Sequence, residues 1–143
     1  MMKCPVYIDE GLLGDLAFLQ QHIVSRQVLI VTDEVVAPLL LNKVQDGLSA
    51  YQCQSLVLAT GETSKTLETL QLIFDKLIAC QFDRSATLLA LGGGVITDMT
   101  GFAAACYQRG VNVIHLPTTL LAQVDAAVGG KTAVNHPLAK NMI

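Results

Sequence analysis

Apolar runs of strand length alternate along this chain with stretches of helical period, and that alternation limits the folds open to it. "QVLIVT" (27–32), "SLVLA" (55–59), "ATLLAL" (86–91) and "VNVIHL" (111–116) are short and rich in aliphatic or β-branched residues. The first reads as a buried strand and the other three as strands. "PVYI" (5–8) reads as a further short strand. Between them, "LLGDLAFLQQHI" (12–23) carries Leu12, Leu13, Leu16, Leu19 and Ile23 at helical spacing. "VAPLLLNKVQDGL" (36–48) is helical with Pro38 in its first turn. "LETLQLIFDKLIAC" (67–80) repeats Leu67, Leu70, Ile73, Phe74, Leu77 and Ile78, and "VITDMTGFAAACYQ" (95–108) and "TTLLAQVDAAV" (118–128) complete the helices. Strand and helix in turn predict one α/β domain over residues 1–143, with a mainly parallel sheet and helices on both faces.

Composition narrows the function classes. Hydrophobic residues make up 52 % of 143, so a packed core is affordable, yet no apolar run reaches the roughly 18 residues of a membrane span. Net charge is −3 without a basic block, which argues against nucleic acid as a partner. Cys4, Cys53, Cys80 and Cys106 lie far apart and read as small core residues in a reducing, cytoplasmic setting. The N-terminus lacks the apolar segment of a signal peptide. The chain stops at "KNMI" directly after a polar, motif-like stretch, which reads as a truncation or as one domain of a longer polypeptide.

In a parallel sheet of this kind ligands bind beyond the carboxyl ends of the strands. Those ends carry Asp33, the polar loop "TGETSK" (60–65), the turn "GGG" (92–94) and Thr118–Thr119. Glycines let a backbone approach a pyrophosphate, and the first N–H groups of the following helix attract its charge. The dinucleotide fingerprint G-x-G-x-x-G fits at Gly92 and Gly94 but meets Thr97 at its third glycine. Asp33 suits either the hydroxyls of a ribose or the N-cap of the next helix. Thr118 and Thr119 suit either a cleft or a helix cap. "GGKT" (129–132) looks like the tail of a P-loop, but the first glycine of that motif would stand at 125, where the chain has Asp125. A nucleoside-triphosphate site is therefore rejected here.

The stretches "LGGGVITDMTGFAAACYQRG", "LPTTLLAQVDAAVGGKTAVNHPLAKNMI" and "TGETSK" together resemble the 3-dehydroquinate synthase family, most densely over 88–143. That family shares its fold with other sugar-phosphate cyclases, glycerol-1-phosphate dehydrogenases and iron-dependent alcohol dehydrogenases. The resemblance implies a Rossmann-like N-terminal domain that binds NAD. It also implies a helical C-terminal domain, absent from this chain, that binds a divalent metal, zinc or cobalt, through one Glu and two His. The implied reaction turns 3-deoxy-D-arabino-heptulosonate 7-phosphate into 3-dehydroquinate and phosphate, in the shikimate pathway of aromatic amino acid biosynthesis. It implies a phosphosugar substrate and a homodimer in the full-length protein.

Position by position, the resemblance gives NAD to Asp33, to Thr60, Gly61, Glu62, Thr63, Ser64 and Lys65, and to Gly93, Gly94, Val95, Ile96, Thr97 and Asp98. Thr118, Thr119, Lys131 and Lys140 join the cofactor cleft, and Arg109, Asp125, Lys131 and Asn141 surround the substrate. Two positions depart from the family, Thr97 and Ala139, where glycine is usual. Thr97 places a side chain near the expected pyrophosphate. His22 falls on a helix, His115 in a strand as a core or edge residue, and His136 in the motif segment, so no metal site is expected within the chain. On this reading the chain alone is inactive; the alternatives are another sugar-phosphate cyclase or a short, non-catalytic binding module of the same fold.

Overall fold

The computed structural model describes residues 4–143. Four strands form one fully parallel sheet: β1 (Gln27–Asp33), β2 (Gln52–Leu58), β3 (Thr87–Gly92) and β4 (Asn112–Pro117), in the order β2-β1-β3-β4. β1 sets Val28 opposite Cys53 on one side and opposite Thr87 on the other, and β3 sets Leu89 opposite Ile114. The central strands β1 and β3 are buried almost throughout, and the edge strands β2 and β4 only in part. A strand covered on both faces needs apolar side chains on both, which is why the two central strands are the continuous aliphatic runs of the sequence.

Helices cover both faces. On one, α3 (Leu67–Ala79) and α4 (Gly94–Cys106) bring Leu70, Ile73, Leu77, Ile96, Met99 and Ala103 onto Leu29, Val31, Leu88 and Ala90. On the other, α1 (Leu16–Gln20) and α2 (Asn42–Asp46), the latter entered through a π-helical turn at Ala37–Leu41, bring Leu19 and Val44, with Leu48 from the turn after α2, onto Val28, Ile30, Leu89 and Leu91. Each of these aliphatic side chains that is fully buried contributes about 2 kcal/mol by leaving water. α3 starts at Thr66, whose Oγ1 accepts from the Thr69 N–H at 3.2 Å. Leu67 and Ile78, at the two ends of its apolar stripe, are exposed.

Three expectations are corrected. Residues 5–8 form no strand: Val6, Tyr7 and Ile8 are more than half exposed, and no edge of the sheet pairs with them. An isolated extended segment without a ladder partner has nothing to make it a strand; here Tyr7 instead packs edge-on against Phe18, with ring centroids 5.0 Å apart. The helix expected over 12–23 is broken into a 3-10 turn (Leu12–Gly14) and the short α1, because Asp15 caps the Phe18 N–H at 2.9 Å and starts a new helix. Of the four cysteines, all free thiols, Cys4 and Cys106 are exposed rather than in the core, while Cys53 and Cys80 are half-buried at its margin.

Beyond β4 the chain makes a second π-helical turn (Ala122–Ala126) and then a hairpin in which Val134 and Ile143 exchange backbone hydrogen bonds. The hairpin lies against α4. A Cβ on Gly101 would stand 2.4 Å from Thr132 Cγ2 and 3.4 Å from His115 Cε1, so only glycine lets the hairpin seat there. None of the described helices is long and apolar enough to cross a membrane.

Candidate functional site

The strand order places a crevice where the connections part. From β1 the chain leaves toward β2, and from β3 toward β4, so the loops after β1 and β3 diverge between neighbouring strands. In doubly wound sheets this switch point at the carboxyl edge is where ligands bind. Asp33 ends β1 and Gly93 follows β3, so both lie at it.

Gly93 is the N-cap of α4 and supplies no side-chain cap. The first N–H groups of this 13-residue helix therefore face the crevice without a side-chain acceptor, at the positive end of the helix dipole. The three glycines are not equivalent. A Cβ on Gly92 would meet Ile96 at 2.8 Å, so that glycine is required by the helix's own packing. A Cβ on Gly93 would meet Thr119 Cγ2 at 3.3 Å, and only Gly94 has ordinary room, with Ala126 at 3.5 Å. Thr97 does not project into the crevice: it is fully buried and its hydroxyl donates to the Gly94 carbonyl at 3.0 Å. Ile96 is buried as well, and Val95 in part.

Asp33 does one of its two expected jobs. Its Oδ1 accepts from the N–H groups of Val35 and Val36, both at 2.9 Å, which opens the helical segment that follows β1. Among the described residues no hydrogen bond is made by its Oδ2. Thr119 caps the π-helical turn by accepting from the Ala122 N–H at 3.2 Å. Thr118 donates its N–H to the Gly92 carbonyl at 2.9 Å, while its hydroxyl is buried with no partner among the described residues. A buried orphan hydroxyl beside the glycine turn is a polar group still to be satisfied.

The strongest polar assembly joins residues far apart in sequence. Lys65, 4 % exposed, reaches Asp98 Oδ2 at 2.5 Å and Asn141 Oδ1 at 2.6 Å. Its loop is shaped by Gly61, at φ +99°, and by Ser64, whose hydroxyl donates to the Gly61 carbonyl at 2.7 Å. Glu62 accepts from Asn135 Nδ2 at 2.7 Å, while Thr60 and Thr63 are exposed. The fold thus unites the loop after β2, the first turns of α4 and the hairpin. Asn135, at the centre of these bonds, carried no assignment from the sequence; its only signal was its place in "KTAVNHPLAKN".

Lys131, Lys140 and Asp125 are exposed and form no side-chain bond to the described protein. Arg109 does not join the crevice. It sits in a 3-10 turn after α4, a helix of 13 residues and therefore about 20 Å long, at the amino edge of the sheet. Gln108 and Arg109 both have positive φ, at 49° and 66°. Among the described residues no three His, Cys, Asp or Glu side chains group as metal ligands.

His115 lies on the edge strand β4, with Nδ1 buried and unpartnered among the described residues. Burial pushes its imidazole below the usual histidine range, and the Asp98 carboxylate offsets this only in part. The neutral form is then favoured in the folded chain more than in the unfolded one. The stability this gives is complete above the unfolded histidine pKa and is lost as pH falls from there through the lower folded value. Urea unfolding between pH 7 and 5 should show a decline that is shallower in His115→Gln; parallel declines in the two proteins would contradict it.

The fold is thus an α/β domain with an uncapped helix terminus at the switch point of a parallel sheet, an arrangement of donors that suits an anion. Among solved structures it is similar to a 2-deoxy-scyllo-inosose synthase complexed with carbaglucose-6-phosphate, NAD+ and Co2+, with TM-score 0.85 and 28 % identity over 94 % of this chain and 37 % of that one. A 2-epi-5-epi-valiolone synthase from Streptomyces hygroscopicus with NAD+ and Zn2+ bound has TM-score 0.80 and 32 % identity, over 100 % of this chain and 41 % of that one. The family model described as 3-dehydroquinate synthase N-terminal matches residues 55–143, and the chain belongs to that family. The 3-dehydroquinate synthase of Nitrosococcus oceani is 60 % identical over 97 % of this chain, and that of Pseudomonas putida 58 % over the same share. The chain spans only 39 % and 38 % of the length of these two relatives.

Proposed function

We propose that this chain is the NAD-binding part of a 3-dehydroquinate synthase, a phosphate-eliminating lyase of the shikimate pathway. The single observation that carries this is the uncapped α4 terminus at the β1/β3 switch point, flanked by Asp33 and by the Lys65–Asp98–Asn141 cluster. The identity of 58–60 % to curated synthases, against 28–32 % to the two other cyclases, favours 3-deoxy-D-arabino-heptulosonate 7-phosphate as the substrate.

The residues present fit the cofactor. NAD, when bound, supplies a reversible hydride acceptor for a secondary alcohol. The pyrophosphate is held by the first N–H groups of α4 at Gly94, Val95 and Ile96, where Gly93 offers no competing side chain. The free Oδ2 of Asp33 accepts from a ribose hydroxyl, and the orphan Thr118 hydroxyl finds its partner on the cofactor. Thr60, Gly61, Glu62, Thr63, Ser64 and Thr119 line the same cleft through loop backbone. Asp98, oriented by Lys65, and Asn141 face the reacting end. Lys131 and Lys140 contact the cofactor or the substrate's anionic groups, with Lys131 beside Asp125. Arg109, at the opposite edge, reaches substrate only in a cleft belonging to another copy of the chain, which a homodimer provides. Among the described residues no donor set fits zinc or cobalt, which supports the reading that the metal is held by residues outside this chain. The partners are small phosphorylated metabolites rather than nucleic acid or membrane, and the setting is the cytoplasm.

Two measurements test the reading on the 143-residue chain. Calorimetric titration should show NAD binding, and phosphate release from the heptulosonate substrate with added zinc and NAD should stay at background. Lys131→Ala should leave stability within about 0.5 kcal/mol, because no described group pairs with it. Absence of NAD binding would overturn the proposal, and turnover by the chain alone would overturn the assignment of the metal to residues outside it.

A further inference from the structure

The hairpin that carries Lys140 and Asn141 and the loop that carries Glu62 and Lys65 are separated by some seventy residues, yet one side chain touches both. Asn135 uses its donor and its acceptor on different partners. Its Nδ2 donates to Glu62 Oε1 at 2.7 Å, and its Oδ1 accepts from the Asn141 N–H at 2.8 Å. Its own backbone N–H donates to the Lys65 carbonyl at 2.9 Å. Asn141 has φ 55°, a left-handed conformation that asparagine adopts more readily than most residues, and the bond to its N–H comes from Asn135. From that conformation the Asn141 side chain meets the Lys65 ammonium at 2.6 Å, and the same ammonium meets Asp98.

We propose that Asn135 is a positioning residue: it clamps the hairpin onto the loop after β2 and so aligns Asn141 and Lys65 on Asp98 as one unit. The inference rests on the reading of this crevice as an NAD site, but the clamp itself is testable apart from it. An amide is suited to the role because it offers one donor and one acceptor at once. Aspartate keeps only the acceptor and faces Glu62 with a like charge. Coupling between the two half-sites then runs through Asn135, because a shift of the Glu62 loop is carried by this side chain to Asn141.

Hydrogen exchange and NAD titration of the 143-residue chain test this. In Asn135→Ala, exchange at the Asn141 amide should rise about tenfold, the change expected for loss of one hydrogen bond. Exchange at Leu88 and Leu89 in the buried strand β3 should not change. In Asn135→Asp, Asn141 should stay protected while NAD affinity falls severalfold. In a Glu62→Gln background, whose amide can donate to the new carboxylate, Asn135→Asp should cost clearly less. Unchanged exchange at Asn141 in Asn135→Ala would overturn the clamp. So would a uniform rise that includes β3, which would mark a merely structural residue, or an equal cost of Asn135→Asp in both backgrounds. Failure of the unsubstituted chain to bind NAD would count against the proposed function instead, and the exchange measurement, which needs no ligand, would still decide the clamp.

Discussion

Lys65→Met is expected to lower the unfolding free energy of the chain by about 3 kcal/mol or more. The Lys65 side chain is 5 % exposed and that of Asp98 18 %, and their charged atoms are 2.5 Å apart. Removing the cation leaves the Asp98 carboxylate mostly out of water without its partner, and the Asn141 side-chain oxygen loses its bond to Lys65. Breaking a buried pair from one side typically costs about 3–5 kcal/mol, far more than the pair contributes over an apolar replacement of both. Lys65→Met combined with Asp98→Leu should therefore recover much of the loss. Urea unfolding of the two single variants and the double variant measures this. A loss below about 1 kcal/mol for Lys65→Met would place the pair with exposed ion pairs, and the cluster would not be the internal anchor described here.

Asp33→Ala should produce two separable losses. Removal of Oδ1 leaves the Val35 and Val36 N–H groups without their cap, which costs about 1 kcal/mol of stability. Removal of Oδ2 deprives the ribose of a charged acceptor, worth about 1–3 kcal/mol of NAD affinity, or roughly 5- to 150-fold in Kd. Asp33→Asn distinguishes them, because asparagine caps as well as aspartate but carries no charge. Stability should then stay near that of the unsubstituted chain while NAD binding falls. A stability loss in Asp33→Ala with unchanged NAD affinity in both variants would leave Asp33 as a cap alone.

The legible part of the fold was the part whose burial is two-sided. β1 and β3 stand out because every position faces a helix layer, and α3 stands out because one stripe of Leu70, Ile73 and Leu77 is buried and the rest is not. Edge strands were read less well. β2 begins at Gln52, three residues before its apolar run, since Gln52, Cys53 and Gln54 are paired by backbone and only partly covered. Residues 5–8 have strand composition, but composition supplies no partner. Asp15 sits inside an apolar helical repeat and nevertheless starts a helix, because its carboxylate competes locally for the backbone.

In the site, the loops at the carboxyl edge followed from topology, and the residues named in them came from the family resemblance. Their pairing was not legible. Lys65 and Asn141 are 76 residues apart, and nothing in either local sequence states that they meet. Spacing also could not distinguish a glycine kept for a ligand from one kept for a neighbour: Gly92 stands under Ile96. Nor could it show that the hydroxyl of Thr97 turns inward onto Gly94 rather than outward toward a pyrophosphate.

The most direct test of the central claim is an NAD titration of the 143-residue chain followed residue by residue through its backbone amide signals. Binding at the β1/β3 switch point should move the amides of Gly93, Gly94, Val95 and Ile96 most, together with those that follow Asp33 and those of Thr118 and Thr119. The amides around Gln108 and Arg109, at the amino edge of the sheet, should stay in place. Shifts confined to that opposite edge, or none at millimolar NAD, would contradict the claim.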